Sequence, residues 1–251
     1  MVSRSCRQAC PMVMTRCPLA TSRHRPALGL AALAGGVLMA LSAAAPAQAA
    51  RQVATVREIL DGDELFVDAK QAKVNQKART PDVISTKASR GMVAFASGAT
   101  ARINRNSQFK LQSDCFLLTS GQVLVSGPQN TCLPSVKLSS RGTNYLVTVL
   151  PDGSTELKVM QGTVTLQPIG PAAATTKWIE PVEREAVRIN AAGQVTDRRC
   201  LVSRDYKEVT GGSLFTGFEQ PLTNFQDLGA FLAGNVPVVG SVLSALSFGL
   251  F

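Results

Sequence analysis

From Arg141 to Leu166 the chain reads RGTNYLVTVLPDGSTELKVMQGTVTL, with apolar and polar residues alternating through short runs broken by Pro-Asp-Gly-Ser and Gln-Gly. A two-residue period sends successive side chains to opposite faces of a strand, and turn residues between such runs make an antiparallel meander. The pattern begins upstream. Arg51 to Asp68 gives two β runs around Asp61-Gly62-Asp63, read as a hairpin, and Gly91 to Leu111 repeats the alternation with a turn at Ser97-Gly98. No helical period interrupts until late in the chain. The expected fold class is therefore all-β: a compact antiparallel sandwich or roll of short strands over residues 50–167, with a short apolar α-helical tail at the C-terminus. Its inward face is expected to hold Leu65, Val67, Phe95, Ile103, Phe109, Leu111, Val123, Val125, Tyr145, Val147, Val149, Leu157, Val159, Val164 and Leu166. The same period sends Glu156, Lys158 and Met160 to the opposite face.

The first acidic residue is Glu58, whereas Arg4, Arg7, Arg16, Arg23 and Arg25 precede an apolar run from Ala27 to Ala45 and the triplet Ala47-Gln48-Ala49. Basic flank, apolar segment and small-residue site are the marks of a secretory signal over residues 1–49, with an uncleaved anchor as the alternative. Both readings place the remainder in the periplasm or outside the cell. Without the leader the net charge drops from +9 to +4. No basic cluster interleaves with aromatics, so nucleic acid is not an expected partner.

Cys6, Cys10 and Cys17 belong to the leader, which leaves Cys115, Cys132 and Cys200 in an oxidising compartment. Cys115 and Cys132 bracket a strand and its return turn. A bridge between them would stabilise the fold by about 3 kcal/mol; two buried thiols are the alternative. Cys200 has no evident partner and is read as buried, free or intermolecular.

Pro168 to Thr176, PIGPAAATT, is a linker by composition, and residues 168–177 are assigned to it. REAVRINAAGQVTDR predicts a further hairpin turning at Asn190 to Gly193, so residues 178–210 are read as that hairpin, with Trp178 packed beside it. Residues 211–251 form a Gly-rich apolar tail. Thr223 and Gln226 have capping-box spacing, and Phe225, Leu228 and Leu232 share one helical face. Together with Phe215 and Phe218 they are the expected docking residues for an apolar partner: the chain's own domain, an envelope protein or the membrane surface.

His24, the only histidine, lies in the leader. The rest of the chain therefore cannot build a Ser-His-Asp or Cys-His nucleophile, an H-E-x-x-H zinc site or an imidazole metal cluster. Asp61, Asp63, Glu64 and Asp68 are hard oxygen ligands of the kind calcium takes, but the EF-hand spacing and terminal glutamate are missing, so a solvated turn is the simpler reading. Glu180, Glu183 and Glu185 are the densest carboxylates for a paired-acid hydrolase, with a charged edge strand as the competing reading. No catalytic residue, cofactor or metal is expected.

Two stretches carry a resemblance. In PDVISTKASRGMVAFASGATARINRNSQFKL the positions are Asp82, Val83, Thr86, Ser89, Arg90, Phe95, Gly98, Arg102, Ile103, Asn106 and Ser107; in the second stretch they are Arg141, Gly142, Thr143, Tyr145, Val147, Asp152, Gly153, Val159, Gly162 and Val164. In order and spacing they resemble the FecR-domain family, named after the iron-dicitrate sensor of Gram-negative bacteria, over most of residues 56–167. The resemblance implies a periplasmic or cell-surface β domain of the FecR type that works as a protein-interaction module. It brings no catalytic residue. Gly98, Gly142, Asp152, Gly153 and Gly162 are then turn formers, and Arg141 is either a buried hydrogen-bond organiser or a surface arginine. Only a short basic, Cys-containing stretch precedes Ala27, where signalling members carry an anti-sigma segment. The region after Trp178 is similar to extensions of standalone cyanobacterial FecR-domain proteins.

The expected function is an exported, non-enzymatic β module that binds an envelope protein or the membrane surface, or senses a ligand there. The alternatives are an envelope signalling protein acting through a separate membrane partner, as in iron-dicitrate sensing, and, more remotely, a carboxylate-dependent hydrolase. The sequence does not specify the oligomeric state.

Overall fold

A computed structural model describes residues 52–169 and 184–235. Along the chain run β1 (Val53–Leu60), β2 (Leu65–Val67), β3 (Lys70–Gln71), β4 (Lys77–Arg79), β5 (Val83–Thr86), β6 (Arg90–Phe95), β7 (Thr100–Ile103) and β8 (Gln108–Leu111). Then come β9 (Phe116–Gly127), β10 (Thr131–Cys132), β11 (Val136–Ser140), β12 (Thr143–Val149), β13 (Thr155–Gln161), β14 (Val164–Pro168), β15 (Glu185–Ile189), β16 (Val195–Cys200), α1 (Ser203–Thr210) and α2 (Phe225–Asn235). The fold is mostly antiparallel β-sheet with a small helical C-terminal part, as the alternation predicts.

The strands form two layers that share one strand. The first sheet is ordered β16-β15-β13-β12-β9-β7-β6-β1-β4, and the second runs β3-β2-β5-β8-β9-β10-β11, ending on β14. β9 makes the junction: Phe116 to Ser120 pair with β8, and Gly121 to Gly127 pair with β12. Only its short pairing with β10 is parallel among the described strands. Between the layers lies a core in which Phe116 stacks on Phe95 at 5.5 Å and meets Phe109 at 4.9 Å between ring centres. Tyr145 is fully buried there, and its hydroxyl donates to the Gln129 carbonyl at 2.6 Å and lies 2.9 Å from Thr131 Oγ1. Burial pushes that phenol up to about 12. Of the expected inward positions only Val149 stays half-exposed at the rim.

A disulfide joins Cys115 to Cys132 with their Cα atoms 5.7 Å apart, pinning the start of β9 beside β10. Cys200 closes β16 at an exposed position and is not a free thiol.

Several expectations change. β1 and β2 do not pair: β1 hydrogen-bonds to β4 and β6, and β2 to β3 and β5, so Asp61-Gly62-Asp63 carries the chain from one sheet to the other. β15 and β16 form a hairpin that extends the first sheet through β13, but the last residues assigned to that hairpin, Ser203 to Thr210, are helix α1. Asp205 accounts for that helix start. Its carboxylate accepts from the Val202 amide at 2.8 Å, and the Arg199 guanidinium donates to it at 2.7 and 2.8 Å. Trp178 and most of the linker lie outside the described residues, as does the tail beyond Asn235.

The Arg199 hydrogen bonds, helped by the Val202 amide, hold the Asp205 carboxyl below its ordinary value against the opposing effect of burial. A depressed carboxylate pKa adds stability above the ordinary aspartate range, and that contribution disappears as pH falls through the folded value. Asp205→Asn should therefore cost about 1–2 kcal/mol near neutral pH. In urea melts the gap between variant and parent seen at neutral pH should narrow at an acid pH, as the carboxylate protonates through its lowered folded value. An equal gap at both pH values would mean the carboxylate charge is not what caps α1.

Candidate functional site

Register across the first sheet lines up one row of side chains: Glu58, Met92, Arg102, Leu124, Leu146, Lys158, Ala186 and Arg199. A two-residue period makes this the face turned away from the sandwich core. It is nonetheless covered. Leu124, Leu146, Met160 and Ala186 are buried beneath Leu201, Tyr206, Val209, Leu214, Phe215, Leu222, Leu228 and Leu232, which form a second apolar cluster. The middle of the first sheet is thus buried on both faces, which explains the unbroken burial of β7 and of Val123 to Gly127. Lys158 and Met160 of β13 do lie on the face opposite the sandwich core, as the two-residue period predicts, and there Met160 is fully buried and Lys158 nearly so.

Residues 213–220 cross this face as a strap gripped through its backbone. Arg102 donates to the Leu214 carbonyl at 3.0 Å and to the Gln220 carbonyl at 2.8 Å, while Arg90 donates to Ser213 O and, at 2.7 Å, to Thr216 O. Glu58 accepts the Glu219 and Gln220 amides at 2.9 and 3.1 Å. The Phe218 ring lies 4.4 Å from the Arg102 guanidinium and 5.5 Å from that of Arg90, with Phe215 5.7 Å from Arg102. Burial pushes Arg102 down to about 10, against the opposing field of Glu58, so it remains charged at neutral pH. Arg90 is also tied to Asp61, and this hydrogen bond is the main cause that lowers the Asp61 carboxyl.

The expected docking residues are therefore largely consumed by the chain itself. Phe215, Leu228 and Leu232 are buried in the second cluster, Phe225 packs against it, and Phe218 is half-buried under the arginines. Of the partners the sequence left open for these side chains, the structure places them against the chain's own domain. Thr223 does not cap α2: its amide donates to Thr100 Oγ1 at 3.0 Å and its hydroxyl to Gly98 O at 2.9 Å, fastening the tail to the β6–β7 turn.

The family-like residues scatter over the fold. Gly98, Gly142, Gly153, Gly162 and Asn106 sit in turns with positive φ. Asp152 caps the β12–β13 turn by accepting from the Ser154 amide at 2.9 Å and hydroxyl at 2.6 Å. Thr143 is fully buried at the start of β12, and Arg141 is exposed, which decides between its two readings. Arg90 and Arg102 are the two among them that belong to the strap contacts. The carboxylates of the opening β region are spent locally: Asp61 on Arg90 and Arg105, Glu64 on the Ala88 amide, and Asp68 on the Val83 amide. Among the described residues no group of His, Cys, Asp or Glu has the arrangement of a metal site. Glu185 is buried and paired with Arg198 at 2.5 Å, whereas Glu180 and Glu183 lie outside the described residues. Sequence reasoning missed the burial of this outer-face row because it depends on the C-terminal segment from Leu201 to Leu232, which no pattern within the strands announces.

Two surfaces remain. The outer face of the second sheet shows half-exposed Phe66, Val83 and Leu117 beside exposed Lys110 and Lys87, whose ammonium lies 5.4 Å from the Phe66 ring. Under the strap side of the first sheet, a cavity of about 240 Å³ opens between Gln122, Leu146 and Lys158 below and Glu208, Val209 and Ser213 above. Among the described residues, no helix is long and apolar enough to cross a membrane.

No protein-family model matches the sequence, and no curated protein does. Among solved structures the chain is similar to two crystal structures of a candidate anti-sigma factor from Parabacteroides distasonis, at 13% and 15% identity with TM-scores of 0.42 and 0.41. Each alignment covers 51% of this chain and 62% of the other, so this chain spans less than two thirds of that protein's length.

Proposed function

We propose that the chain is an exported, non-enzymatic β module of the FecR-domain type that binds an acidic protein segment of the cell envelope through the outer face of its second sheet. The Cys115–Cys132 disulfide suits an oxidising compartment. The observation that carries the reading is the contrast between the two faces. The first sheet is covered by the chain's own tail, whereas no described element lies over Phe66, Val83 and Leu117. Half-exposed apolar side chains flanked by exposed Lys87 and Lys110, neither of which forms an ion pair among the described residues, suit a partner that supplies both apolar contact and negative charge.

Truncating the tail does not test partner binding, because it removes Leu228 and Leu232 from a core cluster. A photo-crosslinking residue at Leu117 does. In cells that produce the chain it should yield a discrete protein adduct that the same probe at exposed Arg141 does not. Lys87→Glu with Lys110→Glu should abolish that adduct. Equal adducts at both positions, adducts indifferent to charge reversal, or charge-dependent flotation with anionic vesicles in place of a protein adduct would each overturn the reading.

A further inference from the structure

The cavity above β13 brings two opposite charges to one small space without letting them neutralise each other. Lys158 projects from β13 with its side chain 9% exposed, and its ammonium has one ionic partner, Glu156 Oε2 at 3.4 Å. An ammonium carries three donors, so most of this one's hydrogen-bonding capacity is unspent in a place where lysine is seldom buried. Across the cavity stands Glu208 on α1, which forms no ion pair with Lys158 although both line the same 240 Å³. The nearby acid on that helix, Asp205, is already held by Arg199 at 2.7 Å.

The remaining walls set size and polarity. Leu146, Val209 and Leu214 are apolar. Gln122 is satisfied, donating to Thr148 Oγ1 and accepting from Asn104 Nδ2, and Ser213 donates to Asn104 Oδ1 at 3.0 Å. Glu208 and Val209 belong to the last turn of α1, and Gly212 follows its C-cap, where the helix dipole favours a positive group.

We propose that this cavity binds a small zwitterion of α-amino-acid size, with its carboxylate on Lys158 and its ammonium between Glu208 and the end of α1. The volume is below that of ordinary drug-sized pockets, which start at about 300 Å³. It suits a molecule of amino-acid dimensions whose apolar part meets Leu146, Val209 and Leu214. A lone anion would bring its charge towards Glu208 as well as Lys158, and a lone cation towards Lys158 as well as Glu208, whereas a zwitterion meets each group with the opposite charge. The proposal is independent of docking on the second sheet, because binding is read on the isolated chain.

The test is calorimetric titration of the purified chain with the standard amino acids at millimolar concentration, followed by the N-acetyl and carboxamide derivatives of any that bind. At least one free amino acid should bind, and blocking either charged end should weaken it by about tenfold or more. Lys158→Met, which keeps most of the stem, and Glu208→Gln, at an exposed helix position, should each lose binding to a similar degree. If Lys158→Met fails to fold, Glu208→Gln and the blocked ligands still decide. Absence of binding across the set, or binding unchanged by acetylation and by Glu208→Gln, would overturn the proposal.

Discussion

Gly121→Ala should leave little folded protein, with a loss on the order of 3 kcal/mol or more. Gly121 is where β9 passes from the second sheet to the first, with φ at +81°. An added Cβ would stand 2.2 Å from Ser107 Oγ and 2.5 Å from Ser107 Cα. The hydroxyl could rotate away, but it accepts the Gln122 amide at 3.0 Å and donates to the Gln122 carbonyl at 3.2 Å, and the Cα cannot move without β8. Urea midpoints and near-ultraviolet circular dichroism measure the loss. Adding Ser107→Gly should not restore stability, because the backbone contact remains. Gly142→Ala is the control: its φ is +63° with no atom within 4 Å of the new Cβ, so it should cost only the conformational penalty of about 1–2 kcal/mol. Comparable losses at the two glycines would show that close approach at Gly121 does not hold the two sheets together.

That pivot marks where reading the sequence stops working. Alternation correctly predicts the antiparallel β class and the buried side of almost every long strand, since one inward row per strand follows from a two-residue period whatever the topology. It does not say which strands are neighbours. Phe116 to Gly127 reads as an ordinary strand before its return turn, and nothing in that reading says that its two halves serve different sheets. Asp61-Gly62 looks like a hairpin turn because turn chemistry is the same whether the next strand returns beside the first or crosses to the other layer. Helix α1 escaped because SRDYKEVT is too short for an apolar period to emerge, and its start depends on Arg199 holding Asp205. The candidate site was the least legible part. The period puts Lys158 on the face opposite the core, and nothing in its own strand says that α1 and the turn after it lie over that face.

Arg102→Met should release the strap and cost about 3 kcal/mol, because it removes both guanidinium bonds to the Leu214 and Gln220 carbonyls while keeping most of the side-chain volume. The loss is larger than for an ordinary surface arginine. Leu214 is buried, so its freed carbonyl has little access to replacement water, and Phe218 loses the cation 4.4 Å from its ring. Limited digestion with chymotrypsin reads the release directly, with new cleavage expected after Phe215 and Phe218 before the sheets unfold. Arg102→Lys should recover only a small part of the protection, since one ammonium cannot replace a planar fork reaching two carbonyls about six residues apart. Arg141→Met, at an exposed arginine of the same family-like set, should change neither stability nor cleavage. Unaltered protease resistance in Arg102→Met would mean that the apolar cluster beneath Leu228 and Leu232 holds the tail without the arginines. The strap would then be a passenger on the packing of α2, and the buried charge would need another reason to be there.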